Sequence, residues 1–166
     1  MAKHPSGYSG LQIGLHWTVA CLVIFQFLAH DAIEHAWRAF AGGTPADPDG
    51  KGMVTLHIIS GALIFVLAVW RLWLRFTRGV PALPDNEPAA LKFIAKATHF
   101  LIYALIIGMP ISGSIAWFGG VPAAAAAHVL AKTALLVLVI LHVAGALFQQ
   151  FFLKSSVLSR MVMSQD

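Results

Sequence analysis

The chain has 166 residues, 58% of them hydrophobic, with only 11 Lys/Arg and 7 Asp/Glu and a mean hydropathy of +0.77. An ordinary soluble domain is about a quarter charged, so this chain lacks the polar surface to enclose a water-soluble core, which excludes a soluble enzyme domain, a nucleic-acid-binding module and a disordered chain. A net charge of +4 here reports which loops face the cytoplasm and says little about a nucleic-acid partner.

No Lys, Arg, Asp or Glu occurs from His4 to His30, Gly52 to Trp70, Ala97 to Ala131, or Thr133 to Leu153. A bilayer core takes roughly 20 residues of helix, and each interval supplies them. The first span is expected near 11–29. It reads as a permanent helix, because its apolar stretch is long, Asp31 follows directly and no small-x-small cleavage site precedes that residue. Cys21 within it is the only cysteine, so no intrachain disulfide forms, and without C-x-x-C-H a haem would be held without thioether bonds. The polar loop 30–52 follows. Its His30-Asp31-x-x-Glu34-His35 offers i,i+4 pairs that read as a solvated helix end with side chains paired to each other, the alternative being an outer metal site or proton relay.

The second span is expected near 53–74, followed by a polar loop at 76–90. Asn86-Glu87-Pro88 marks the start of the third span, near 91–117. Pro110, flanked by Gly108 and Gly113, should kink that helix without ending it. Trp117-Phe118-Gly119-Gly120-Val121-Pro122 ends it, since Gly-Gly and Pro continue a helix poorly and Trp suits the interface. The fourth span is expected near 126–152, with Ala123 to Ala127 as its first turn. Lys3, Arg71, Arg75, Arg78, Lys92, Lys96, Lys154 and Arg160 fall on one side, and Arg38, Lys51 and Lys132 on the other. The expected fold is therefore all-α, an integral membrane four-helix bundle forming one domain over 1–166, with both termini cytoplasmic.

Five of the eight histidines, His16, His57, His99, His128 and His142, lie within these spans. One such imidazole commonly hydrogen-bonds a neighbouring helix, but five together point to function. At about 1.5 Å per residue, His57 and His128 lie roughly 5 Å below the outer surface, while His16 and His142 share the cytoplasmic half. His128 and His142 are 14 residues apart, close to four turns, and so project from nearly one face about 21 Å apart. That spacing suits two stacked metal centres. Neutral imidazoles with no carboxylate or thiolate beside them favour haem held by two axial nitrogens over structural zinc. With both axial positions closed, such a haem favours electron transfer over oxygen activation. Gly14, Gly61 and Gly145 near these histidines could admit a porphyrin plane, or serve helix packing.

The segments L-Q-I-G-L-H-W (11–17), L-H-I-I-S-G-A-L (56–63), R-L-W-L-R (71–75), T-H-F-L-I-Y-A-L (98–105) and L-H-V-A-G-A-L (141–147) resemble the bacterial cytochrome b561 family over almost the whole chain. That family is similar to the cytochrome b subunits of hydrogenases and formate dehydrogenases. The resemblance implies a multi-pass protein of the bacterial inner membrane with two b haems, passing electrons between a quinone and a partner. It matches His16, His57 and His142 to haem histidines, His128 to the outer histidine of the related b subunits, and His99 to a further family histidine. Combined with depth, it favours His57/His128 for the outer haem and His16/His142 for the inner. His99 is left as a propionate or quinone contact, and His57/His99 is the other ligation considered.

Arg71 and Arg75 can pair with inner propionates, or simply anchor the cytoplasmic end. Lys132 is similarly placed for an outer propionate, or snorkels to the interface. The leading expectation is a di-haem electron carrier between the quinone pool and an outer-side redox partner, on its own or as a subunit of a larger oxidoreductase. The alternative is a superoxide oxidase passing electrons to ubiquinone. Asp31, Glu34, Asp47 and Asp49 against Arg38 and Lys51 make a poor funnel for an anion. Gln149-Gln150 stands where some members have histidine, which leaves the quinone site open. A haem-free metal transporter would need carboxylates along the spans, and none is there.

Overall fold

A computed structural model describes residues 5–45, 47–82 and 87–164; Lys3, His4 and Asn86 lie outside them. The described residues form α1 (Gly10–Leu28), α2 (Asp31–Ala41), a 3-10 turn (Pro48–Gly50), α3 (Lys51–Thr77), α4 (Ala89–Gly119), α5 (Pro122–Phe151) and a 3-10 turn (Ser159–Met161). They contain no strand. Four helices, α1, α3, α4 and α5, are long and apolar enough to cross a membrane. Each expected span falls on one of them, with ends differing by up to four residues.

Local chemistry sets these boundaries. Ser9 and Gln12 form a reciprocal capping box at the start of α1, and Gln12 Nε2 also donates to Gly79 O at 3.1 Å, tying α1 to the segment after α3. α4 runs through Pro110 for nine further residues and stops at Gly120, whose φ of 64° is the left-handed conformation a side chain resists. Pro122 then occupies the first turn of α5, where its missing N–H costs nothing.

The segment 30–52, expected as a polar loop, contains the 11-residue α2. Its apolar residues Ile33, Trp37 and Phe40 recur at helical spacing, so one face can pack on the bundle while Asp31, Glu34 and Arg38 stay wet. The cap Gly120 receives this packing, since a Cβ there would lie 3.5 Å from the Phe40 ring.

Most large apolar side chains point outward, Phe76, Phe100, Leu130 and Phe151 at 70% exposure or more. That pattern suits a hydrocarbon solvent. The dry core is small: Val19, Val23, Ile64, Ala68, Ile106 and Leu135. Three helices share a seven-residue register through it, His57–Ile64–Arg71 on α3, His99–Ile106–Gly113 on α4 and His128–Leu135–His142–Gln149 on α5. Seven residues are nearly two turns, so each row faces inward, with apolar residues at mid-depth and histidine, arginine, glutamine or, on α4, Gly113 above and below.

Candidate haem-binding sites

The registers place histidines in two tiers. In the upper tier, on the side of α2, the His57 and His128 rings stand 6.5 Å apart between centroids. His128 Nδ1 lies 2.9 Å from Met109 O, so it carries the proton and leaves Nε2 as a lone pair. The carbonyl lies in the turn before Pro110, which brings the α4 backbone to the ring. Gly113 completes this contact: a Cβ there would meet His128 Cε1 and Nδ1 at 3.1 Å. The sequence reading singled out three other glycines. At Gly14 and Gly145 a Cβ meets nothing within 4 Å, and at Gly61 it meets Gln26 Nε2 at 3.3 Å.

His57 Nδ1 is buried and has no hydrogen-bond partner among the described residues. Gln26 Nε2 binds His57 O at 2.8 Å and Ser60 Oγ at 3.1 Å, fixing α1 against α3 at this depth. A cavity of about 480 Å³ opens between the helices, lined by both histidines, Gln26, Gly61, Gly113 and Lys132 and overlaid by Ile33 and Trp37 of α2. At its rim Glu34 gathers cations, Arg38 Nη2 at 3.1 Å and Lys132 Nζ at 4.0 Å. His30 Nε2 sits 3.4 Å from Asp31 and 3.8 Å from Glu34, so three of the four residues of this sequence cluster gather at one point.

The lower tier holds three rings. His16 and His142 are 6.3 Å apart, and His99 stands edge-on to His142 at 4.9 Å. His99 Nδ1 binds Ala95 O one turn back at 2.6 Å. Arg71 reaches into this group, with Nη2 2.9 Å from His16 Nδ1 and its guanidinium 5.6 Å from the Tyr103 ring centre. A guanidinium only donates, so His16 Nδ1 accepts in this contact. Among the described residues Arg71 pairs with no carboxylate. Arg75 lies one turn further, beside Tyr8, whose phenol burial pushes up while that guanidinium pulls it down.

The expected haem can be tested on these distances. Two metal–imidazole bonds of about 2.0–2.1 Å, with about 1.2 Å from each ligating nitrogen to its ring centre, separate two axial imidazoles by roughly 6.5 Å. His57/His128 and His16/His142 meet that separation; His99/His142 is too close. The upper cavity falls within the roughly 300–1,000 Å³ usual for cofactor sites. Arg71, a cation in a span lacking an acidic partner, is the complement of an anionic propionate. The residues present therefore fit haem. Sequence reasoning missed Gly113, Met109, Gln26 and the α2 overlay. The seven-residue row ending at Gly113 carried a signal for the first, whereas α2 was hidden by its short length.

The family profile described as prokaryotic cytochrome b561 matches residues 7–164. A protein named cytochrome b562 from Cereibacter sphaeroides is 37% identical over 162 residues, 98% of each chain. A probable superoxide oxidase CybB from Yersinia pestis is 29% identical over 106 residues, 64% of this chain and 55% of that one.

Proposed function

The chain belongs to the prokaryotic cytochrome b561 family, and from that premise we propose that it is a di-haem electron carrier linking a quinone pool to an outer-side redox partner. Family membership makes it a multi-pass membrane cytochrome that binds haem b and transports electrons. The finer reading is that the upper tier is the outer one, that both termini are cytoplasmic, and that the protein sits in the bacterial inner membrane. The lysine and arginine asymmetry supports this orientation. In it 1–166 forms one di-haem unit.

His57 and His128 would hold the outer haem, and His16 and His142 the inner. Bound there, haem b would supply one-electron redox chemistry. The protein's own part is to fix and charge-compensate. Met109 O and Gly113 orient His128, Leu135 and Ile106 keep the space between tiers dry, and Lys132 faces an outer propionate. Were His16 to hold the group through Nε2 with its proton on Nδ1, the Arg71 guanidinium, with Arg75 one turn on, would be left to pair with a propionate. His99 touches a propionate or the quinone.

The observation that carries the reading is the pair of ring separations, 6.5 and 6.3 Å, stacked along one helix face. A reduced-minus-oxidised spectrum of purified protein with a haem-to-protein ratio tests it. Two low-spin b haems per chain are expected; a ratio near one, or a high-spin spectrum, overturns it.

A second reading, superoxide oxidation, draws on the name of the Yersinia pestis relative. The rim offers no positive funnel for an anion, because Glu34 offsets Lys132 and Arg38 there and Asp31 stands exposed 3.4 Å from His30, which lines the cavity.

A further inference from the structure

At the lower end of the bundle lies a polar cluster that haem binding leaves unexplained. Glu87, immediately ahead of α4, is only 8% exposed, although it belongs to a residue type almost never buried unless paired. Gln149 Nε2 of α5 donates to one of its carboxylate oxygens, and Ser155 Oγ in turn binds Gln149 Oε1 at 2.8 Å. The other oxygen, Glu87 Oε2, is buried with no donor among the described residues, as is Oε1 of the next residue along α5, Gln150. A carboxylate near a helix N-terminus is favoured by the dipole. That accounts for the residue type, not for an acceptor oxygen withdrawn from water and left without a donor.

The position of the cluster narrows what donor it awaits. Gln149 follows His142 by seven residues, so it lies two turns below on the same inward face, about 10 Å along the axis. Glu87 is therefore held directly beneath the lower tier. A buried acceptor there suits a ligand that brings hydroxyl protons to the nearest redox centre. We propose that Glu87 exchanges a proton with a hydroquinone bound at this end, Gln149 holding its carboxylate in place; this rests on the quinone exchange proposed above.

In the oxidising direction one hydroquinone O–H breaks and its proton passes to Glu87 Oε2. The second hydroxyl proton leaves to water at the same surface. The two electrons pass one at a time through the tiers to the outer-side one-electron acceptor. Quinone reduction runs the same steps backwards.

The test uses the haem-loaded full chain in detergent and two reductants, with haem absorbance followed by stopped flow. Decylubiquinol gives electrons and protons; hexaammineruthenium(II) gives an electron alone. Glu87→Gln keeps an oxygen for Gln149 and removes the proton acceptor. The expected result is a quinol rate lowered about a hundredfold with an unchanged ruthenium rate. Glu87→Asp, which keeps a carboxyl, should fall between the two. A wild-type quinol rate in Glu87→Gln, or equal loss of both rates, overturns the proposal. Should Glu87→Gln not accumulate, Glu87→Ala decides: a quinol rate about a hundredfold down with ruthenium unchanged supports it, and a wild-type quinol rate overturns it. If quinol fails to reduce the wild type while ruthenium does, the quinone reading itself is wrong and this one falls with it.

Discussion

The two histidine tiers share nearly one ring separation, 6.5 Å above and 6.3 Å below, yet differ in what surrounds them. Above, backbone and glycine set the ring, a cavity lies open beside it, and the nearby cation Lys132 is 4.0 Å from Glu34. Below, a third histidine and an arginine stand beside the pair, and that arginine reaches His16 and the Tyr103 face with no carboxylate partner among the described residues. The contrast teaches that one ligand geometry can be held in two electrostatic settings. The lower site keeps an uncompensated positive charge, while the upper has its charge largely cancelled at the rim.

The largest effect that can break this comparison is loss of a tier. His128→Ala should remove the upper haem and lower the haem-to-protein ratio from two to one, while His99→Ala should leave both. The reverse pattern would mean that His99 is an axial ligand and that the tiers are wrongly divided.

Gly113→Leu comes next. A Cβ at this position would meet the His128 ring at 3.1 Å, so the larger side chain should displace the ring and deplete the upper haem alone. Spectra in which both haems fall together would show that the tiers are not independent.

Charge changes are smaller and sharpen the electrostatic half of the comparison. Arg71→Gln removes the uncompensated cation and should lower the lower-haem midpoint potential by about 60 mV, a tenfold bias for a one-electron couple. Lys132→Gln should move the upper haem by less than half as much, because Glu34 already offsets that lysine. Equal shifts in redox titrations would remove the proposed difference in compensation.

The smallest effect concerns encounter at the upper rim. Superoxide should reduce the protein well below the diffusion ceiling of about 10⁸ per molar per second, whereas a basic one-electron acceptor should react quickly and slow as salt rises. A near-ceiling superoxide rate would favour the second reading. An acceptor rate indifferent to salt would detach the acidic loop of Asp31, Glu34, Asp47 and Asp49 from the function.

Much of this was legible in sequence because a bilayer limits the options. Charge-free intervals of about 20 residues can only be spanning helices, and histidine spacing along a straight helix fixes depth and face before any neighbour is known. Hence the four spans, the facing of His57 with His128 and of His16 with His142, and the placing of His99 at the level of His16 and His142 could be reasoned from counts. α2 escaped because 11 residues with mixed charges carry little signal until a bundle offers a surface for Ile33, Trp37 and Phe40.

What the sequence alone determined, then, is what depends on one helix at a time: length, hydropathy, axial rise and the face on which a residue emerges. Only the tertiary structure decided what depends on two helices meeting. Examples are Gly113 under the His128 ring, the Met109 carbonyl 2.9 Å from its Nδ1, Arg71 against His16, and Gln149 reaching Glu87 across 62 residues of chain. Rise along a helix is fixed by local backbone geometry and can be counted from the sequence. The rotation and approach of neighbouring helices come from side-chain packing between segments far apart in the chain, which no local count contains.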